Sequence, residues 1–252
     1  MKAKLLTIAV IAVVALLIIT ASIALPILIR PFYYAHIDAL GLDELEFKYF
    51  KDISPLSKEE IKQAYNEMMD YCLGFRSDFS AGVLPFSEEG ASHFHDVKKL
   101  FILDLSVLAI SAAALVVLVI IIKKKSIKLH RFLGRSAPFW SVISIASVAS
   151  VIGIACAVNF KKTFEIFHKI FFPGKTNWKF KPAKDPIIEL LPNQFFANCA
   201  LLIFGAILAF CIGIMIYEFI PKKVDKHRVG KHRVGSADSQ TRSVCTDRQT
   251  RA

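Results

Sequence analysis

The chain has 252 residues, 54% of them hydrophobic, and a formal net charge of +11. A mean hydropathy of +0.48 is too apolar for an ordinary soluble domain of this length. The basic residues cluster beside apolar runs instead of interleaving with aromatics, so the charge excess reads as membrane orientation and excludes a nucleic-acid partner.

A spanning helix needs about 20 mostly apolar residues, because every backbone polar group in hydrocarbon must be satisfied within the helix. Residues 5–29, 100–122, 137–158 and 197–220 meet that requirement. The first run has a basic start at Lys2 and Lys4 and small residues near Ala24, as a signal peptide would. Its apolar stretch exceeds the ~7–15 residues of a signal core, which favours a retained span. The expectation is an all-α integral membrane protein with four transmembrane helices. It has a small helical extracytoplasmic domain between spans one and two and an interfacial aromatic segment between spans three and four. The boundaries are 1–30 for the first span, 31–99 for the extracytoplasmic domain, 100–122 for the second span and 123–136 for a cytoplasmic loop. The third span is 137–158, the interfacial segment 159–196, the fourth span 197–220, and a disordered basic cytoplasmic tail occupies 221–252.

Orientation follows from the acid-free loop containing Lys123, Lys124, Lys125, Lys128, Arg131 and Arg135, which places both termini in the cytoplasm. The segment before Leu100 is rich in acids, in agreement; the segment after Val158 has more lysines than acids and opposes it mildly. Cys156, Cys199 and Cys211 lie within apolar runs, Cys72 lies outside them and Cys245 lies in the tail, with neither a disulfide framework nor a CxxC metal spacing. The tail repeats KHRVG from Lys226 to Gly235, a pattern of a solvated basic segment more than of a metal site.

In the first outer segment, Ser57 with Glu60 forms a capping box ahead of Ile61, Tyr65, Met68 and Cys72, closed by Gly74. Those positions describe one amphipathic helix whose apolar face packs on other outer elements. A second helix is expected after Ser87, with Glu88 and Glu89 favouring its dipole, and it runs directly into span two. It carries His93 and His95, which point about 200° apart at ~100° per residue. His93 shares its face with Asp96, Leu100 and Asp104, and that carboxylate-bearing face is the functional candidate. Asp104 sits just inside the membrane boundary, where an ionisable group is costly and marks either a site or snorkelling to the interface.

In the second outer segment, Phe160, Phe164, Phe167 and Phe171 form a helical stripe suited to the interface, and His168 follows Phe164 by one turn. Pro173 and Gly174 end that helix, Trp178 and Phe180 act as interface anchors, and Pro182, Pro186 and Pro192 are expected to keep the chain extended. A histidine among phenylalanines at headgroup depth has its charged form disfavoured and is suited to be a neutral base or donor.

Residues 65–71 (YNEMMDY), 93–98 (HFHDVK), 167–174 (FHKIFFPG) and 178–196 (WKFKPAKDPIIELLPNQFF) occur in this order around the four spans. Together they resemble the bacterial lipoprotein intramolecular transacylase family. The chain departs from that pattern in a longer stretch at 173–178 and in Lys181, where an acid is expected. The resemblance implies an acyltransferase that moves the sn-2 acyl chain of a diacylglyceryl lipoprotein to the α-amine of its own N-terminal cysteine, giving a lyso-form lipoprotein. Its partners would be that lipoprotein and membrane lipids, its location the bacterial cytoplasmic membrane with the active site on the outer face, and neither cofactor nor metal is expected. The resemblance also implies a catalytic pair at His93 and His168. Asp96 is the candidate orienting carboxylate. Tyr71, Asp104, Arg30 and Trp178 are the candidate substrate-binding residues. Cys72 is disfavoured as a nucleophile because it lies on an apolar face. Two rival readings remain: a non-catalytic envelope sensor or assembly factor, and a metal site from His93, His95 and His168, which the opposed directions of the first two disfavour.

Overall fold

The computed structural model describes residues 2–220, so the tail expected at 221–252, Cys245 included, lies outside the described residues. One compact unit extends to Glu218, and the unit starting at Phe219 contributes only its first two residues to the description. The α-helices are α1 (Lys2–Leu28), α2 (Arg30–Ala39), α3 (Lys58–Cys72), α4 (Glu88–Lys124), α5 (Ala137–Val158), α6 (Phe160–Phe171) and α7 (Asn193–Phe219). Short 3-10 turns occupy Leu42–Glu44, Lys51–Ile53 and Pro186–Leu190, and no strand occurs among the described residues beyond an isolated bridge between Phe132 and Arg135.

Four helices, α1, α4, α5 and α7, are long and apolar enough to cross a membrane. Their large apolar side chains face outward: Leu201 is 72% exposed and Val151 70%, a state that acyl chains stabilise and water does not. Small polar side chains draw the helices together, since weak packing forces are all that lipid leaves between them. The Ser141 hydroxyl, fully buried, donates to the Ile11 carbonyl at 3.0 Å, and Thr7 Oγ1 accepts from the His130 amide at 2.9 Å. At the same end, Glu218 accepts a hydrogen bond from the Ser136 hydroxyl at 2.7 Å.

α4 has 37 residues. At ~1.5 Å per residue it is about 55 Å long, against ~30 Å of hydrocarbon, so roughly its first three turns project beyond the bilayer core. The Ser87 hydroxyl caps it by accepting from the Gly90 amide at 3.0 Å, with Glu88 and Glu89 in its first turn and Lys123 and Lys124 in its last, matching the helix dipole at both ends. α1 ends beside the start of α4, and residues 29–87 pack around that end as a head.

The head has its own core, centred on Tyr33, Ile37, Ile61, Tyr65 and Met68. Tyr33 and Tyr65 stack with centroids 3.7 Å apart, and the Tyr33 hydroxyl donates to the Leu190 carbonyl at 3.0 Å. The Ser57–Glu60 capping box starts α3, and Gly74 follows it with φ +83°, a conformation that favours glycine. Helix α2 carries no strong periodic pattern; Pro31 in its first turn supplies a helical φ without losing a needed donor. The segment expected to run extended through Pro182, Pro186 and Pro192 is instead folded: Pro186 opens a 3-10 turn that buries Ile187 and Leu190 in the head core.

Candidate active site

Two imidazoles meet where α4 enters the head. His93 and His168 have ring centroids 5.8 Å apart, an interplanar angle of 32°, and only 5% and 7% of their surface exposed. They come from segments 75 residues apart in the chain, so only the packing of α6 and its following loop against α4 unites them.

α6 begins where the Asn159 side chain accepts from the Lys162 amide at 3.0 Å. Its phenylalanines remain partly exposed, Phe167 at 43% and Phe171 at 50%, while His168 is its one buried residue. This helix therefore turns its aromatic stripe outward, as an interfacial helix does, and presents its histidine to α4. His168 Nδ1 lies 2.8 Å from the Phe164 carbonyl. A carbonyl only accepts, so Nδ1 carries the proton and the neutral ring keeps its lone pair on Nε2. Burial pushes the His168 pKa below its ordinary value, keeping that lone pair free.

A strap of residues 172–178 closes over the pair. Phe172 packs against both rings, at 5.0 Å from His93 and 5.7 Å from His168, and Phe180 lies 5.3 Å from His93. Trp178 lies 4.8 Å from His168, and its indole N–H donates to the Lys175 carbonyl at 3.0 Å. Gly174, with φ +74°, turns the strap back towards α4. There Lys175 Nζ reaches Asp96 at 2.5 Å, and the Asn177 amide donates to the same carboxylate oxygen at 3.4 Å.

A second junction fixes the start of α4. Asp185, 4% exposed, accepts from the Ser87 amide at 2.7 Å and from the Ser87 hydroxyl at 2.9 Å. Gly90 lets that carboxylate approach: a Cβ there would lie 2.3 Å from Asp185 Oδ1 and 3.2 Å from a Phe180 ring carbon. Asp185, Lys175 and Asn177 had no local signature in the sequence, because their partners are 79 to 98 residues away.

The remaining candidates fall in different places. Asp96 is buried on the His93 face, yet its hydrogen bonds go to Lys175 and Asn177, so it holds the strap and does not orient the imidazole by a direct bond. His93 Nδ1 is buried with no hydrogen-bond partner. Asp104 lies eleven residues beyond His93 on the same helix. That is ~16 Å along its axis, too far for contact, and Asp104 Oδ2 is buried without a partner. Arg30 pairs with Asp70 and with Asn66 Oδ1 at 3.2 Å, joining α2 to α3, and its side chain stays 27% exposed. Tyr71 faces the other side of α4. Its hydroxyl is 3.2 Å from His95 Nδ1, and both line an open groove of about 510 Å³ that excludes the imidazole pair. The divergence of His93 and His95 along the helix accounts for this separation. Cys72 is buried and its thiol is pushed up to about 12 by desolvation, so it is not a thiolate at neutral pH. Among the described residues no group of three His, Cys, Asp or Glu side chains is placed to hold a metal ion.

Fold and site together define an integral membrane protein whose buried imidazole pair is assembled from two helices, α4 and α6, at one end of a helical bundle. The same arrangement of helices is found in the solved membrane-integral lipoprotein intramolecular transacylase Lit from Bacillus cereus. That structure is 27% identical in sequence, covers 91% of this chain and 97% of its own, and superposes with a TM-score of 0.72. A histidine-to-arginine variant of the same enzyme matches at 26% identity, over 92% of this chain and 93% of its own, with a TM-score of 0.67. The family model for the lipoprotein intramolecular transacylase Lit matches residues 8–196, and the chain belongs to that family. A protein of Aquifex aeolicus described only as uncharacterized is 35% identical over 77 residues, and the match spans 31% of this chain and 34% of that relative's length.

Proposed function

We propose that the chain is a bacterial membrane acyltransferase that moves the sn-2 acyl chain of a diacylglyceryl lipoprotein onto the α-amine of that lipoprotein's own N-terminal cysteine. The observation that carries this reading is the meeting of His93 and His168 in a buried, aromatic-walled site at one end of the membrane bundle. The acid-free loop from Lys123 to Arg135 supports placing that site on the outer face, with both termini cytoplasmic.

The chemistry asks little of the protein beyond positioning and proton transfer. An α-ammonium with a pKa of ~7.7–8.0 must lose a proton before it attacks an ester. His168 takes that proton on Nε2, the nitrogen left unprotonated by the bond from Nδ1 to Phe164. The amine then bonds to the ester carbonyl carbon, the carbon–oxygen bond to the glyceryl unit breaks and the proton held by His168 passes to the departing glyceryl oxygen, while the nitrogen gives its second proton to the freed Nε2, from which it leaves to solvent. His93, its Nδ1 unpartnered, is the donor to the oxyanion that develops between these steps. Because amine and ester belong to one molecule, folding them together supplies effective concentrations of up to ~10⁵–10⁸ M, and no covalent enzyme intermediate is needed.

The test is to incubate the purified protein with a diacylated lipopeptide and locate the acyl chain by tandem mass spectrometry. Wild type should yield the N-acylated lyso form, and His93→Gln and His168→Gln should each lose at least ~100-fold in rate. No migration with wild type, or equal migration with both variants, refutes the proposal.

A further inference from the structure

Asp96 is a buried carboxylate one helical turn from His93, and the group it holds is an ammonium. Lys175 Nζ lies 2.5 Å from Asp96 Oδ2, while the Lys175 side chain as a whole is 46% exposed on the strap. Next to that contact, Asn177 spends its N–H donors on Asp96 and Ser92, and its Oδ1 is buried with no partner. Lys99 contributes a more distant charge, 3.7 Å from Asp96 Oδ1. The site thus has a buried carboxylate, a group that binds an ammonium, and it is filled by a side chain on a surface loop.

We infer that Asp96 is the docking point for the substrate's α-ammonium, and that Lys175 fills this point until the substrate displaces it. The inference rests on the acyl-shift reading and names how that reading's nucleophile is recognised. A primary alkylammonium and an α-ammonium present the same charge and the same three donors, so the contacts of Lys175 mark those the substrate makes. The position suits the chemistry. The ammonium docks on the carboxylate, gives one proton to His168 Nε2, and becomes an amine with a free lone pair. The carboxylate stays where it is and stabilises the new imidazolium, so the proton moves within the field of one fixed negative charge. Displacement is inexpensive because Lys175 remains partly solvated.

Binding to the full chain separates this inference from the catalytic one. In a His93→Gln/His168→Gln background, which prevents turnover, affinity is measured for a diacylated lipopeptide with a free α-amine and for its N-acetylated counterpart. The free amine should bind about tenfold tighter or more, because only it supplies an ammonium. Asp96→Asn should bring the ratio close to one by weakening the free-amine ligand, with the N-acetylated ligand as the reference for any loss from a loosened strap. Lys175→Gln should tighten the free-amine ligand about threefold to tenfold relative to the N-acetylated one. Equal affinities in the parent, a preference that survives Asp96→Asn, or no gain on Lys175→Gln overturns the inference. Should Asp96→Asn lose both ligands, Asp96→Glu decides: a retained preference supports the docking role and a lost one overturns it. Acyl migration with both histidines in place is scored separately, so a failure of the acyl shift and a failure of ammonium docking give different patterns.

Discussion

Replacing Gly90 with alanine tests whether the Asp185 junction holds the site together. In the third residue of a long helix, glycine to alanine ordinarily stabilises by about 1 kcal/mol, since alanine is the better helix former. Here the added Cβ would sit 2.3 Å from Asp185 Oδ1 and 2.9 Å from its Cγ, far inside van der Waals contact. Asp185 has nowhere to retreat, being 4% exposed and bonded to the Ser87 amide and hydroxyl. Overpacking of this kind costs ~1–3 kcal/mol, and weakening a charge-assisted hydrogen bond adds ~1.5–3 kcal/mol. After subtracting the propensity gain, a net loss of about 1.5–5 kcal/mol is expected. At ~2–4 °C per kcal/mol that corresponds to a fall in Tm of roughly 3–20 °C, read by thermal unfolding in detergent. Gly205→Ala is the control, since nothing lies within 4 Å of a Cβ there, and it should hold or raise the Tm. The acyl shift should slow in Gly90→Ala alone, because Phe180, the next contact of the new methyl, also packs against His93. A Gly90→Ala protein as stable as the control would refute the close approach of Asp185.

The remaining expectations concern the imidazoles and their surroundings. His168 acts as a base in its neutral form and burial lowers its pKa, so the neutral form persists as the pH falls. The acid limb of the kcat profile should therefore lie below the ordinary imidazole value of ~6.5, and a limb at or above it would contradict the burial argument. Removing the ring that covers His168 in Trp178→Ala should lower kcat about tenfold or more, with Trp178→Phe retaining most of it, as turnover of the lipopeptide would show. Cys72→Ser should turn over within about threefold of wild type, and thiol alkylation should leave wild-type activity intact, because the Cys72 thiol is buried and pushed up to about 12.

Much of the architecture was legible because it rests on local physics. Apolar runs long enough to cross a bilayer declare themselves in any order of packing, and the Ser57–Glu60 box and the Ser87 cap are hydrogen bonds between residues three apart. The opposed directions of His93 and His95 follow from helical periodicity alone, which is why the first meets His168 and the second meets Tyr71. Helix α2 and the 3-10 turn at Pro186–Leu190 were not legible, since what favours them is burial of Tyr33, Ile37, Ile187 and Leu190 against partners distant in the chain. The same limit applies to the polar residues of the site. Arg30 turned to Asp70, and Asp96 to Lys175, because a partly or fully buried charge takes whichever opposite charge the fold delivers. Local sequence thus determined the spans, the helix starts and the two histidines as candidates. Only the tertiary structure decided which nitrogen of His168 is free, which cation Asp96 holds and what covers the pair, because those depend on contacts between segments that share nothing but space.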